Sequence, residues 1–223
     1  MLAVLVSGPA GYAMPTDPPT LEIQWLESQP LLAPVEYFTA TSPDAAAGMP
    51  EADFEPLTEA DLHQLMSAAG HVFWLRVRLN NGDPQQSRTW VLRHQTPQVD
   101  RLTAFLVDAG DDPQRIMLTD RQPFHQRPLD YRTLALTHTT PANSYTDVYL
   151  RLGYDRAGIA HLGFILSTQE QFQAQARAEY YGFGLYAGLM LTMVLVAMAM
   201  AWLLRQLTYL HLGLFILAGT LSW

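Results

Sequence analysis

Two stretches of alternating sequence place aromatic rings beside guanidinium groups. In the run from His71 to Leu79, Phe73, Leu75, Val77 and Leu79 alternate with Trp74, Arg76 and Arg78. Successive side chains of a strand point to opposite faces. If the aliphatic set lines a core, Trp74, Arg76 and Arg78 therefore share the other face. From Tyr145 to Gly153 the apolar set is Val148, Leu150 and Leu152, and Tyr145, Asp147, Tyr149 and Arg151 turn outward. Rings stack on sugar faces, and Arg donates planar hydrogen bonds. Trp74, Arg76, Arg78, Tyr149 and Arg151 are thus candidate ligand-binding residues for a glycan or an anionic small molecule. A structural reading competes with this one. Arg and Tyr often pair across strands, and Arg76 and Arg78 are candidate partners of Asp147.

Other chemistry finds less support. His63, His71, His94, His125, His138 and His161 are scattered without metal-ligand spacing, so no metal is expected. There is no Cys, which removes disulfides and thiolate nucleophiles. The segment from Asp108 to Asp112 has the carboxylates for a cation but the composition of a hairpin turn. Glu51, Asp53, Glu55, Glu59 and Asp61 read as a solvated surface. No pair of carboxylates is singled out for glycoside hydrolysis. The sequence carries no Gly-rich phosphate loop and no nucleophile elbow. No enzyme activity and no cofactor are expected. The net charge is -8 and every one of the 13 basic residues is Arg. Nucleic-acid affinity rests on neutralising phosphates, so no nucleic-acid partner is expected.

The elements that must position these residues are short strands separated by turns. Beyond the two stretches above, strands are expected at Trp90–Arg93, Arg101–Val107, Arg132–Leu136 and Gly158–Leu166. Asn80-Asn81-Gly82-Asp83-Pro84 and Asp108–Asp112 supply turn chemistry. This spacing predicts an all-β sandwich. Thr58–Ala69, opening on Thr58-x-x-Asp61, is expected to form one short helix, and Ser42–Glu55 a loop. The first twenty residues read as a signal remnant and a Pro-rich linker, the sandwich occupies 21–167, and a polar helical connector follows over 168–179.

No Asp, Glu, Lys or Arg occurs from Tyr180 to Leu204, nor after Arg205. A bilayer core takes about 20 apolar residues per helix. Residues 180–204 are therefore expected to span a membrane, and 207–223 to form a second, barely sufficient or incomplete span, giving an α-helical hairpin. Tyr180, Tyr181, Phe183 and Tyr186 at one end and Trp202 at the other have an aromatic-belt distribution, and Arg205 places the connecting turn in the cytoplasm. Gly184 and Gly188 have the spacing that lets helices pack closely, against partner helices or a second copy. His211 is the one titratable side chain of the second span and sits near the turn, so an interfacial or packing role is expected there.

The order of these features resembles the bacterial seven-transmembrane receptors with diverse intracellular signalling modules. Trp74-Leu75-Arg76-Val77-Arg78-Leu79-Asn80 is similar to a strand of their type-2 extracellular domain. Trp90-Val91-Leu92, Val99-Asp100-Arg101-Leu102, Arg127-Pro128 and Tyr149-Leu150-Arg151 follow in the family's order. Glu179 to Leu191 and Thr208-Tyr209-Leu210-His211-Leu212 fit the start of the membrane region. The resemblance implies a jelly-roll-like periplasmic domain akin to carbohydrate-binding modules, anchored in the inner membrane and sensing a ligand. It also implies seven helices and an output module. About two helices are present here, so the chain is read as the N-terminal part of such a receptor, a fragment or truncated product. The rival functions are a membrane-anchored module that docks another envelope protein and, less favoured, an enzyme acting on envelope glycans.

Overall fold

The computed structural model describes residues 17–24, 26, 29–31, 35–40, 54–59, 61, 65–67, 71–97 and 99–221. The expected signal remnant, most of the loop over 42–55 and Trp223 lie outside these residues. The chain divides into two compact units, 1–169 and 170–223, each taken by itself below.

The first unit is built around β6 (Val72–Asn81). Phe73, Leu75, Val77 and Leu79 alternate along it, so one face is buried in the core. It pairs antiparallel with β11 (Ser144–Gly153), with Val77 opposite Val148. On its other edge it takes β3 (Glu36–Ala40) antiparallel and β1 (Thr20–Glu22) parallel. The sheet continues through β8 (Arg101–Asp108) to β9 (Gln114–Thr119), and β4 (Glu55–Pro56) closes the far side beside β3. The second sheet runs β10 (Ala135–Thr140), β7 (Arg88–His94), β13 (Phe164–Thr168) and β2 (Gln29–Leu31). Phe73, Leu75, Val77, Leu79, Leu106 and Leu150 of the first sheet share one buried core with Trp90, Leu92, Leu136, Phe164 and Leu166 of the second. The architecture is thus two mostly antiparallel sheets closed on a common interior, followed by apolar helices.

Asp108–Asp112 is the hairpin turn between β8 and β9. Asp111 N–H donates to the Asp108 carbonyl at 3.0 Å, and Gly110 takes φ +88°, a value costly for other residues. The turn after β6 leads instead to the other sheet. There the buried Asn81 side chain donates to the carbonyls of Gln86 and Pro141 at 2.8 and 2.9 Å. Three expectations shift, the first being that the single strand expected at Gly158–Leu166 is two, Gly158–Ile159 and Phe164–Thr168, in different sheets. The strand expected at Arg132–Leu136 forms over Ala135–Thr140. The helix expected over Thr58–Ala69 begins with a capping box, in which Thr58 N–H donates to the Asp61 carboxylate at 2.8 Å. Its far end is not helical: Met66–Ser67 (β5) pairs with Gly158–Ile159 (β12). Strand pairing overrides helix propensity there; residues 60, 62–64 and 68–69 lie outside the described set.

A chain of buried polar groups ties the two sheets. Trp90 Nε1–H donates to Thr140 Oγ1 at 3.0 Å, and Thr140 and Thr146 hydroxyls meet at 2.8 Å. Thr146 donates on to Asp108, whose carboxylate lies 3.0 Å from His138 Nε2. Four strands from both sheets contribute, and each member has a protein partner.

His94 is fully buried, with Nε2 2.8 Å from the His161 carbonyl oxygen and Nδ1 2.6 Å from the Thr96 carbonyl oxygen and 3.2 Å from the Thr96 amide nitrogen. Burial holds its pKa below the ordinary value of 6.5. Above about pH 6.5 the ring is neutral both folded and unfolded, and its stabilising contribution is fully present. As pH falls below that, the unfolded chain takes the proton first, so stability is lost until the folded pKa is passed. The slope is at most about 1.4 kcal/mol per pH unit. His94→Gln, which keeps a donor near the Nε2 position, should flatten the dependence of the urea midpoint between pH 7.5 and 5.5. An unchanged slope in the variant would remove His94 as its source.

The second unit holds α1 (Gln169–Leu204) and α2 (Leu207–Leu221). Helix α1 is long and apolar enough to cross a membrane, with a mean hydropathy of 2.2 in its most apolar window; α2 is shorter. Arg205 joins them in the left-handed region, φ 53°, a common way to end a helix. The helices meet where Gly213 faces Ala197: an added Cβ would lie 3.4 Å from the Ala197 Cβ and 3.7 Å from the Val194 carbonyl. Gly184 and Gly188 have nothing within 4 Å of the corresponding position. The close helix–helix contact inside this chain therefore uses Gly213, which the sequence reading passed over.

Candidate functional site

The face of the larger sheet turned away from the core carries the predicted residues in ordered rows. Register places Phe38, Trp74, Arg151, Thr103 and Met117 side by side across five strands. The neighbouring row is Glu36, Arg76, Tyr149, Phe105 and Arg115. A third row holds Arg78, Asp147 and Val107. All five ligand-binding candidates, Trp74, Arg76, Arg78, Tyr149 and Arg151, are thus brought onto one face, as alternation requires.

That face is not open along its length. Trp74 is 0% exposed and Arg76 3%. Trp74 stacks on Phe105 with ring centroids 5.6 Å apart, and Ala40, Val72, Phe38, Phe54 and Tyr149 complete a second apolar cluster. The expectation that Trp74 and Arg76 point outward is right about the side of the sheet and wrong about exposure. Aromatic rings from β3, β8 and the approach to β4 close over the middle of β6.

The arginines are mostly held by acids. Arg76 donates to Glu36 at 2.6 Å and lies 4.3 Å from the Phe54 ring centroid. Arg78 grips Asp147 with two bonds, at 2.6 and 2.9 Å, and sits 4.1 Å over Tyr145. Of the two arginines offered as partners of Asp147, Arg78 takes that place and Arg76 pairs elsewhere. The bonds to Asp147 push the Arg78 pKa further up, so the guanidinium charge persists at any physiological pH. Burial pushes the Tyr149 phenol up as well.

The far side of the face is different. Arg101 donates to Asp155 at 2.7 Å, its side chain crossing Gly153, where a Cβ would lie 3.7 Å from its Nε. Arg115 lies 5.7 Å from the Phe105 ring centroid and forms no ion pair among the described residues. Burial and then the guanidinium charges of Arg101 and Arg115 hold Arg151 below its ordinary pKa. The Trp74 indole N–H is buried and has no acceptor.

A separate cleft of about 520 Å³ opens at the end of the unit, lined by Asp100, Asp120, Tyr154, Arg156 and His161 among others. Asp100 is partly engaged, accepting Asp155 N–H at 2.7 Å. Among the described residues no group of three His, Asp or Glu side chains converges to hold a metal.

Sequence reasoning missed Glu36, Phe105 and Arg115. Glu36 and Arg115 lie on strands that were not recognised. Phe105 was inside a recognised strand, but its face was not assigned.

The fold is a two-sheet, mostly antiparallel β domain followed in the chain by an apolar helix. The family model for the 7TMR-DISM extracellular 2 domain matches residues 39–162, more than half of the chain. The chain belongs to this family of receptor extracellular domains. A comparison with curated proteins finds no match. Among solved structures, two variants of an exo-beta-1,3-galactanase from Phanerochaete chrysosporium, each with beta-1,3-galactotriose, align at 8% and 6% identity. They cover 44% and 63% of this chain and 21% and 29% of their own, with TM-scores of 0.23 and 0.28. A carbohydrate-binding module of the beta-sandwich superfamily aligns at 8% identity over 63% of this chain and 54% of its own, with a TM-score of 0.25. Overlaps this small place no ligand on the present chain.

Proposed function

We propose that this chain is the ligand-sensing input portion of a bacterial membrane signal-transduction receptor. In this reading the two sheets form a jelly-roll-like sandwich in the periplasm, and α1 and α2 lie in the inner membrane. The sandwich takes a small molecule or a glycan without altering it chemically, and Gly184 and Gly188 contact partner helices or a second copy. The observation that carries the proposal is continuity. The match to a receptor extracellular domain runs to residue 162, β13 follows to Thr168, and α1 begins at Gln169 with no intervening loop. A protein-docking role is not favoured. Met117 and Ile159 are the only large apolar side chains well exposed among the described residues of the sheet unit, too few for a docking patch.

Ligand binding shifts a receptor only by its differential affinity for two states. If the states differ in the rotation or height of α1, helical phase in 169–179 must matter. Each inserted residue turns the following helix by about 100°, while seven bring it back to within about 20°. In a receptor carrying this chain, one or two alanines inserted after Gln175 should abolish ligand-dependent output, and seven should restore much of it. Equal output from all insertions, measured by reporter, would refute coupling through α1.

A further inference from the structure

We propose that the cleft at the open end of the β8–β9 hairpin binds an amino sugar, holding its ammonium group between Asp100 and Asp120. This rests on the sensing role above and names the site and the chemistry of its ligand. Strand register brings the two carboxylates together. The last ladder pair of β8 and β9 is Arg101 opposite Thr119, and one step further the Asp120 N–H donates to the Asp100 carbonyl at 3.3 Å. Asp100 and Asp120 therefore stand across from each other and turn to the same side, as cross-strand partners do. Both line the cleft of about 520 Å³. Like charges directly opposite on neighbouring strands are destabilising, and a cost of this kind is tolerated where function requires it.

The rest of the cleft sets the ligand class. The Asp100 carboxylate accepts a hydrogen bond from Asp155 N–H at 2.7 Å, and that of Asp120 accepts one from the neighbouring Thr119 hydroxyl at 3.2 Å. A carboxylate offers about four acceptor sites and an ammonium carries three donors, so both acids keep capacity for a ligand. Arg156 and His161 add polar groups to the lining. Ile159, 49% exposed, supplies an apolar contact at the same place. That mixture suits a hydroxylated ring with one positive charge. A bare metal ion fits it less well. Among the described residues no third carboxylate or imidazole converges on the pair, and calcium takes about six to eight oxygens. The wall behind the acids is fixed in advance. Tyr154 O–H donates to the His161 carbonyl at 2.6 Å, His94 Nε2 lies 2.8 Å from the same oxygen, and Ala160 N–H donates to the Leu65 carbonyl at 2.8 Å. A wall ordered before binding spares the entropy of ordering it.

The test uses the full chain in detergent with D-glucosamine and N-acetyl-D-glucosamine, below the pKa of the amine and at matched ionic strength. The two sugars share a ring and differ in whether the nitrogen is charged. Glucosamine should raise Tm where its N-acetyl form does not. Asp120→Asn keeps the shape of an exposed side chain and should weaken glucosamine binding about tenfold or more, the loss of one charge-assisted hydrogen bond. Asp112→Asn makes the same change in net charge at the turn end of the hairpin and should leave binding unchanged. No gain from glucosamine, equal gains from the two sugars, a gain that survives Asp120→Asn, or an equal loss with Asp112→Asn would each overturn the assignment. The comparison of sugars is made on the unmodified chain, so it stands whether or not a variant folds. Each of these failures leaves the sensing role standing, which the alanine insertions in α1 test separately.

Discussion

Trp74→Ala should destabilise the two-sheet unit by about 3–5 kcal/mol, the range for emptying a buried aromatic site. Trp74 is 0% exposed, stacks on Phe105, and is the largest member of the cluster on the outer face of β6. Removing it leaves a cavity among Phe38, Phe54 and Phe105 that a strand pinned on both edges cannot collapse to fill. Trp74→Phe separates the two properties of the residue. It retains a ring to stack on Phe105, and it deletes an indole N–H that has no acceptor in the fold. The stranded donor costs about 1–3 kcal/mol, which offsets much of the lost volume. Trp74→Phe should therefore lose far less than Trp74→Ala in thermal unfolding followed by the β-sheet signal. Equal losses for the two variants would mean that the N–H is satisfied in solution. The distinction bears on function: Trp74→Ala cannot test ligand binding, because its effect on folding comes first.

The reach of the sequence is clearest around β6. Seven residues of strict alternation, Phe73 to Leu79, define one strand, its core face and the side on which Trp74, Arg76 and Arg78 lie. The same logic reads β11, and the abrupt loss of charge after Glu179 marks α1. What alternation cannot give is what lies over a face. Phe38 comes from a five-residue strand with no clean pattern, and Phe54 from beside a two-residue one. The stacking of Phe105 on Trp74 depends on β8 lying two strands away through β11. Partner choice among charges was equally hidden. Arg76 sits two residues from Arg78 and had the same claim on Asp147. Register decides it: Asp147 is directly opposite Arg78, while Arg76 is flanked by Tyr149 and Glu36. Arg115 was passed over because Gln114–Thr119 alternates weakly on an edge strand, where only one neighbour constrains composition. The short helix was overextended because Met66 and Ser67 find a strand partner ninety residues further on, at Gly158–Ile159.

The pairing of Arg76 with Glu36 leads to a second large effect, a loss for a single change that the paired change mostly recovers. Arg76 is 3% exposed, its guanidinium set between the Phe54 ring and the Glu36 carboxylate, which is itself 23% exposed. Removing one partner of a buried pair leaves a charge stripped of water and of its counter-ion, a loss of about 3–5 kcal/mol when both groups are fully buried. Partial access to water at Glu36 lets solvent reach the vacated side, so Glu36→Ala should cost about 2–4 kcal/mol. Replacing both, with Arg76→Met and Glu36→Leu, removes the two desolvation penalties together and fills the space with apolar atoms beside Phe38 and Phe54. The double variant should recover most of the single variant's loss, because the mutual attraction of a buried pair roughly balances the cost of drying it. Urea denaturation of the wild type and the two variants in the full chain measures this directly. If Glu36→Ala shifts the midpoint no more than an exposed substitution would, or if the double variant falls below the single one, the pair is either solvated or a net source of stability. The expected pattern would instead make Arg76 and Glu36 a device that fixes the register of β3 against β6, setting Phe38 beside Trp74 and so closing the outer face over the indole.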